Sequence, residues 1–101
     1  MLLTVFRSRL RPEAAEEYEV WAARMDALAC TMPGYRSHKT FTAADGERVT
    51  LVEFDSQASQ QAWAAHPGHV EAQNKGRELF YSDFSIQVCK VVRSAGFARG
   101  S

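Results

Sequence analysis

The hydrophobic periodicity of this 101-residue chain changes along its length in a way that predicts an α+β domain with the element order β-α-β-β-α-β. Three observations carry the prediction. A run of β-branched and aromatic residues opens the chain, a long stripe at helical spacing follows, and an Asp-Gly turn then joins two strand-like runs.

The first element, LLTVFRSRL at 2–10, reads as a strand. In 11–32 the period switches: Tyr18, Trp21, Ala22, Met25, Leu28, Ala29 and Met32 recur at three- and four-residue intervals, while Glu16, Glu17, Glu19 and Asp26 lie mostly off that stripe. Pro12 suits a first helical turn, and Glu13, Glu16 and Glu17 complement the positive end of the helix dipole. Pro33-Gly34 stops the helix. The runs 35–43 and 47–55 flank Ala44-Asp45-Gly46 and are expected to pair as a hairpin.

Ser56 caps a short helix over 57–66, which ends near His66 because a residue before proline is biased out of the helical region. A second short helix spans 68–81, weakened by Gly76, and 83–93 is the last strand. The expected domain is 1–93, with 94–101 as a small, polar C-terminal tail. This order is the split βαβ, or ferredoxin-like, arrangement: one antiparallel sheet with helices on one face. The other face needs a partner, a ligand or polar residues.

A two-residue Asp45-Gly46 turn sets Ala44 opposite Glu47, Thr42 opposite Val49, Thr40 opposite Leu51 and His38 opposite Glu53. Tyr35, Phe41, Val52 and Phe54 then face the helices. Arg36, His38, Thr40, Thr42, Val49, Leu51 and Glu53 form a mixed face suited to a pocket wall or a dimer contact. A histidine opposite a glutamate favours the imidazolium form and makes a proton-transfer pair, unless it is an ordinary solvated cross-strand pair.

Lys plus Arg and Asp plus Glu each number 12, so no net field recruits nucleic acid or an acidic membrane surface. Arg7, Arg9 and Arg11 read as a solvated strand edge rather than a phosphate track. The apolar start is too short for a signal-peptide core, and no segment approaches the roughly 20 apolar residues that span a bilayer, so a cytoplasmic location is expected. Cys30 and Cys89 lie in apolar runs and read as buried thiols. His66 and His69 stand three apart around Pro67-Gly68, with no Cys or Asp near enough to complete a metal site, and no metal is expected.

Gly34-Tyr35 opening the second strand, Leu51-Val52-Glu53-Phe54, Trp63 before the loop and Pro67-Gly68-His69 together resemble the antibiotic biosynthesis monooxygenase family of the dimeric α+β barrel superfamily, over roughly residues 2–92. The resemblance implies a homodimer whose sheets pack face to face, with a pocket between the sheet and helices of each subunit. Members include enzymes that oxidise polycyclic phenols with O2 and neither metal nor flavin. In the haem-degrading branch, Asn is expected on the first strand and a haem-ligating His about ten residues after the Trp; here those positions hold Phe6 or Arg7, and Gln73, which disfavours that branch.

The expected function is therefore cofactor-independent oxidation of a small aromatic or quinol-like substrate, with no cofactor. His38 with Glu53, or His69, is the candidate base; Phe6, Trp63, Phe80 and Tyr81 are the candidate aromatic wall. The competing expectation is a non-catalytic small-molecule binding or stress-related accessory protein on the same scaffold. A deep, closed pocket holding His38 or His69 together with Glu53 favours the first, and a collapsed pocket filled by Trp63 and Phe80 favours the second.

Overall fold

In the computed structural model, which describes residues 1–100, the first strand is central to the sheet. Strand β1 (Leu2–Leu10) pairs on one side with β3 (Arg48–Phe54) and on the other with β4 (Tyr81–Lys90), and β2 (Tyr35–Thr42) lies outside β3. Every neighbouring pair is antiparallel, and the four-stranded sheet is open, with β2 and β4 as its edges. The α+β, ferredoxin-like order expected from the sequence is the one observed.

A 3-10 turn at Pro12–Ala14 leads into α1 (Ala15–Ala29), with Glu16 and Glu17 in its first turn. Gly34 reverses the chain with φ +81, and a Cβ there would overlap the Ser59 side chain, so both conformation and space demand glycine. Ser56 caps α2 (Gln57–Ala65) by accepting the Ser59 N–H at 3.2 Å. His66 leaves the helical region ahead of Pro67, and its Nδ1 accepts the Gly68 N–H at 3.0 Å, capping α3 (Pro67–Lys75). The joint between the two helices is thus built by His66.

The helix expected over 68–81 is interrupted at Gly76, where the α-helical run ends after Lys75. The chain continues from α3 through a π-helical turn, Gly76–Phe80, and β4 begins at once, at Tyr81 rather than 83. A Cβ on Gly76 would stand 2.7 Å from the Tyr81 ring, so the glycine is the seat against which that ring lies.

The hairpin departs from the expected register by one residue. Ala43 N–H donates to Glu47 O at 2.8 Å and Gly46 N–H to Ala43 O at 3.0 Å, a three-residue loop with Gly46 at φ +92. His38 therefore lies opposite Val52, Thr40 opposite Thr50, and Glu53 opposite Ser37. A slip of one residue turns β2 over relative to β3, so His38 and Thr40 join Val52 and Phe54 beneath the helices. Phe41 is instead exposed. A register irregularity between Tyr35 and Ser37 keeps Tyr35 on the helix side, where its hydroxyl reaches His38.

The core is small and centred on fully buried Phe54, with Ala29 and Trp63, and with Met25, Leu28, Met32, Tyr35 and Val52 packed around them. The helix-free face carries Leu3, Val5, Val49 and Leu51, together with Glu53 and Cys89. Neither cysteine is a core thiol: Cys30 is exposed and Cys89 half-buried on that face. Arg7, Arg9 and Arg11 each pair with a carboxylate, those of Glu47, Asp45 and Glu13, and the first two of these pairs tie the hairpin tip to the central strand. Among the described residues, no helix is long and apolar enough to cross a membrane.

Candidate functional site

Between the helices and the sheet lies a pocket of about 430 Å³, within the range that holds a drug-sized molecule. Its floor takes side chains from all four strands: His38 and Thr40, Thr50 and Val52, Thr4 and Phe6, then Phe84 and Ile86. At the spacing of neighbouring strands, a floor of this kind is roughly 14 Å wide from β2 to β4. Its roof comes from Tyr18, Trp21 and Met25 of α1, Gln60 and Trp63 of α2, and His69 and Gln73 of α3. The shape suits a flat, elongated guest.

The aromatic wall expected from the sequence is assembled here. Phe6 meets Tyr81 edge to face at 5.4 Å, and Phe80, 2% exposed, meets Tyr18 at 5.8 Å. Trp63 is also buried, yet both it and Phe80 line the open space rather than filling it. Burial pushes the Tyr81 hydroxyl well above its ordinary range, and the neighbouring Tyr18 adds to the effect. Tyr81 is thus a neutral phenol, a donor but not a base at neutral pH.

The imidazole of His69 stacks on the Trp63 indole at 4.0 Å between centroids and 12° between planes. Its Nδ1 lies 3.0 Å from the Trp63 carbonyl. A carbonyl only accepts, so Nδ1 carries the hydrogen and Nε2 holds the lone pair. Burial lowers the His69 pKa from its ordinary value, opposed by the carbonyl contact and aided by His66 nearby. Gln73 donates to the Ala64 carbonyl at 3.3 Å beside the same ring. The result is an oriented, neutral imidazole on the pocket wall.

His38 reaches the pocket from β2 and does not meet Glu53. Its Nε2 is 3.1 Å from Asp26 Oδ1 and its Nδ1 is 2.6 Å from the Tyr35 hydroxyl. Glu53 keeps its place on the helix-free side and does not line the pocket; the register slip moved His38 away from it to the helix side. Of the three candidate bases, the fold brings His38 and His69 to one pocket and leaves Glu53 outside.

Asp26, Tyr35, Tyr18 and Trp21 were not legible as site residues. Tyr18 and Trp21 share the packing stripe of α1, and Asp26 is one of several carboxylates off it. The polar position Asp26, one residue beyond Met25 in that stripe, was the available signal. His66 caps a helix, and among the described residues no group of three or more His, Cys, Asp or Glu side chains is arranged to hold a metal ion.

Comparison with known proteins agrees with this architecture. The structure of Rv0793 from Mycobacterium tuberculosis superposes with a TM-score of 0.82 at 20% identity, covering 94% of this chain and 98% of that one. SnoaB, a cofactor-independent oxygenase from Streptomyces nogalater, superposes with a TM-score of 0.76 at 19% identity, over 92% of this chain and 94% of that one. In sequence, the uncharacterized protein YqjZ of Bacillus subtilis (strain 168) is 32% identical over 93 residues, 92% of this chain and 82% of that protein. Residues 1–75 match the model of the antibiotic biosynthesis monooxygenase family, and the chain belongs to that family.

Proposed function

We propose that the protein is a cofactor-independent monooxygenase acting on a flat aromatic or quinol-like substrate. The observation that carries this reading is His69: a half-buried, neutral imidazole that lines the pocket, fixed by the Trp63 carbonyl and stacked on the Trp63 ring. The structural likeness to SnoaB, a cofactor-independent oxygenase, supports the same direction.

Such chemistry asks the protein to hold the substrate, take a proton and exclude water. His69 Nε2 takes a proton from an acidic phenol or from the methylene of an anthrone. The electron-rich anion then gives an electron to O2, and radical and superoxide combine. Two C–H bonds of the methylene break, one oxygen atom becomes the carbonyl, and the other leaves with both hydrogens as water. Phe6, Phe80 and Tyr81 grip the rings, and Trp63 backs the base.

Two copies pair through the helix-free face, whose Leu3, Val5, Val49 and Leu51 form an apolar surface with no cover of their own. The alternative, a binding protein without turnover, has the same pocket but no need for an oriented imidazole. The reading is tested by supplying 18O2 with anthrones and hydroquinones to metal-stripped protein. One labelled atom in the anthrone product and one in water is expected; unlabelled product, or none, overturns it.

A further inference from the structure

Asp26 lies in the last turn of α1, where the helix's own partial charge is negative and no basic residue of that turn offsets it. Its partner comes from the sheet. A carboxylate only accepts, so the 3.1 Å contact to His38 Nε2 places a hydrogen on that nitrogen. In the neutral imidazole Nδ1 is then the acceptor, and the Tyr35 hydroxyl donates to it at 2.6 Å. The chain of bonds runs one way, from Tyr35 through His38 to Asp26.

Every donor in this chain is consumed within it. What remains free is lone-pair capacity on the Asp26 carboxylate, whose side chain is 62% exposed and which lines the pocket beside His38. Within this group of three, what faces a ligand is an acceptor and not a donor.

We propose that Asp26, oriented by His38 and Tyr35, selects the reduced, hydroxyl-bearing form of an aromatic ligand over its quinone. A quinol O–H donates to the carboxylate, whereas a quinone carbonyl sets lone pairs against lone pairs. Oxidation therefore removes the bond that held the substrate, which favours departure of the product. Asp26 is a specificity-determining residue here, and Tyr35 and His38 are positioning residues. The inference deepens the oxygenase reading by naming the recognised form, and rests on that reading only for its use in turnover.

The test is anaerobic calorimetric titration with 2,3-dimethyl-1,4-naphthohydroquinone and, separately, with its quinone, whose methyl groups block addition of the exposed Cys30 thiol. A charge-assisted bond predicts that wild type binds the hydroquinone about tenfold or more tightly than the quinone. In Asp26→Ala the ratio falls to within about twofold, and in Asp26→Asn, whose amide also donates, quinone binding strengthens. Tyr35→Phe keeps the carboxylate but releases His38, giving an intermediate ratio. Equal binding of both forms by wild type, or an undiminished preference in Asp26→Ala, overturns the proposal. Preference without oxygen uptake sinks the oxygenase reading alone, and oxygen uptake without preference sinks this one alone.

Discussion

The His69 imidazole lies flat on the Trp63 indole, 4.0 Å away, while its Nδ1 is tied to the carbonyl of that same tryptophan. One residue thus fixes both the plane of the ring and the nitrogen that bears the hydrogen. Trp63 is in turn held by Phe54 and Ala29 in the core, so the orientation of the base is set by the best-packed part of the molecule.

That arrangement predicts the pH profile of turnover. Burial disfavours the imidazolium, so His69 stays a base below the ordinary histidine value of 6.5. The acid limb of kcat/KM falls below pH 6.5, and His69→Ala lowers the rate by about 10²–10⁴-fold, the range for loss of a general base. A profile recorded on wild type whose acid limb lies above 6.5 contradicts the assignment.

The same shift has a consequence for folding. His69 binds a proton less readily folded than unfolded, so below pH 6.5 the unfolded chain holds more protons and stability rises with pH. The contribution is fully present above the unfolded value and is lost as pH falls toward the folded one. Urea midpoints of wild type and His69→Gln, compared at about pH 7.5 and about pH 5, are expected to converge at the lower pH. A widening gap refutes the sign.

Gly76 is predicted to be required by its neighbour rather than by its backbone. An added methyl meets the Tyr81 ring at 2.7 Å, and overpacking of this kind costs about 1–3 kcal/mol, more than the roughly 1 kcal/mol that alanine gains in a helical turn. Gly76→Ala lowers Tm in the wild-type background and raises it in a Tyr81→Ala background. The same sign in both backgrounds rules out the explanation.

The helix-free face is the expected dimer contact. Leu51→Lys places a charge among Val5, Val49 and Leu3, and sedimentation should show a monomer at concentrations where wild type is a dimer. A wild-type monomer at micromolar concentration sinks the paired-sheet proposal.

The order of elements was readable because each has a distinct period: the stripe on α1, the alternation in β1, and proline and glycine at the joints. What failed was a count of one. An Asp-Gly pair suits a two-residue turn, but Ala44 joined the loop and Gly46 took its last position, and that single residue turned β2 over. The partner of His38 changed with it, from Glu53 on the next strand to Asp26 on a helix, a contact that no local pattern encodes. His69 and Trp63 were legible because they are close in sequence, and the short turn at Pro67-Gly68 brings them together. Phe6, Phe80 and Tyr81 were legible as aromatics, but their grouping depended on the π-helical turn at Gly76, which reads in sequence only as a weak helix end.

The central claim is that His69 acts as the base for oxygen chemistry, and the most direct measurement is oxygen uptake by metal-stripped protein with a panel of anthrones and hydroquinones, wild type against His69→Ala. The account predicts substrate-dependent uptake by wild type that falls about 10²-fold or more in the variant, which still binds the substrate. Uptake at the same rate in both proteins, or none above the spontaneous reaction in either, contradicts it.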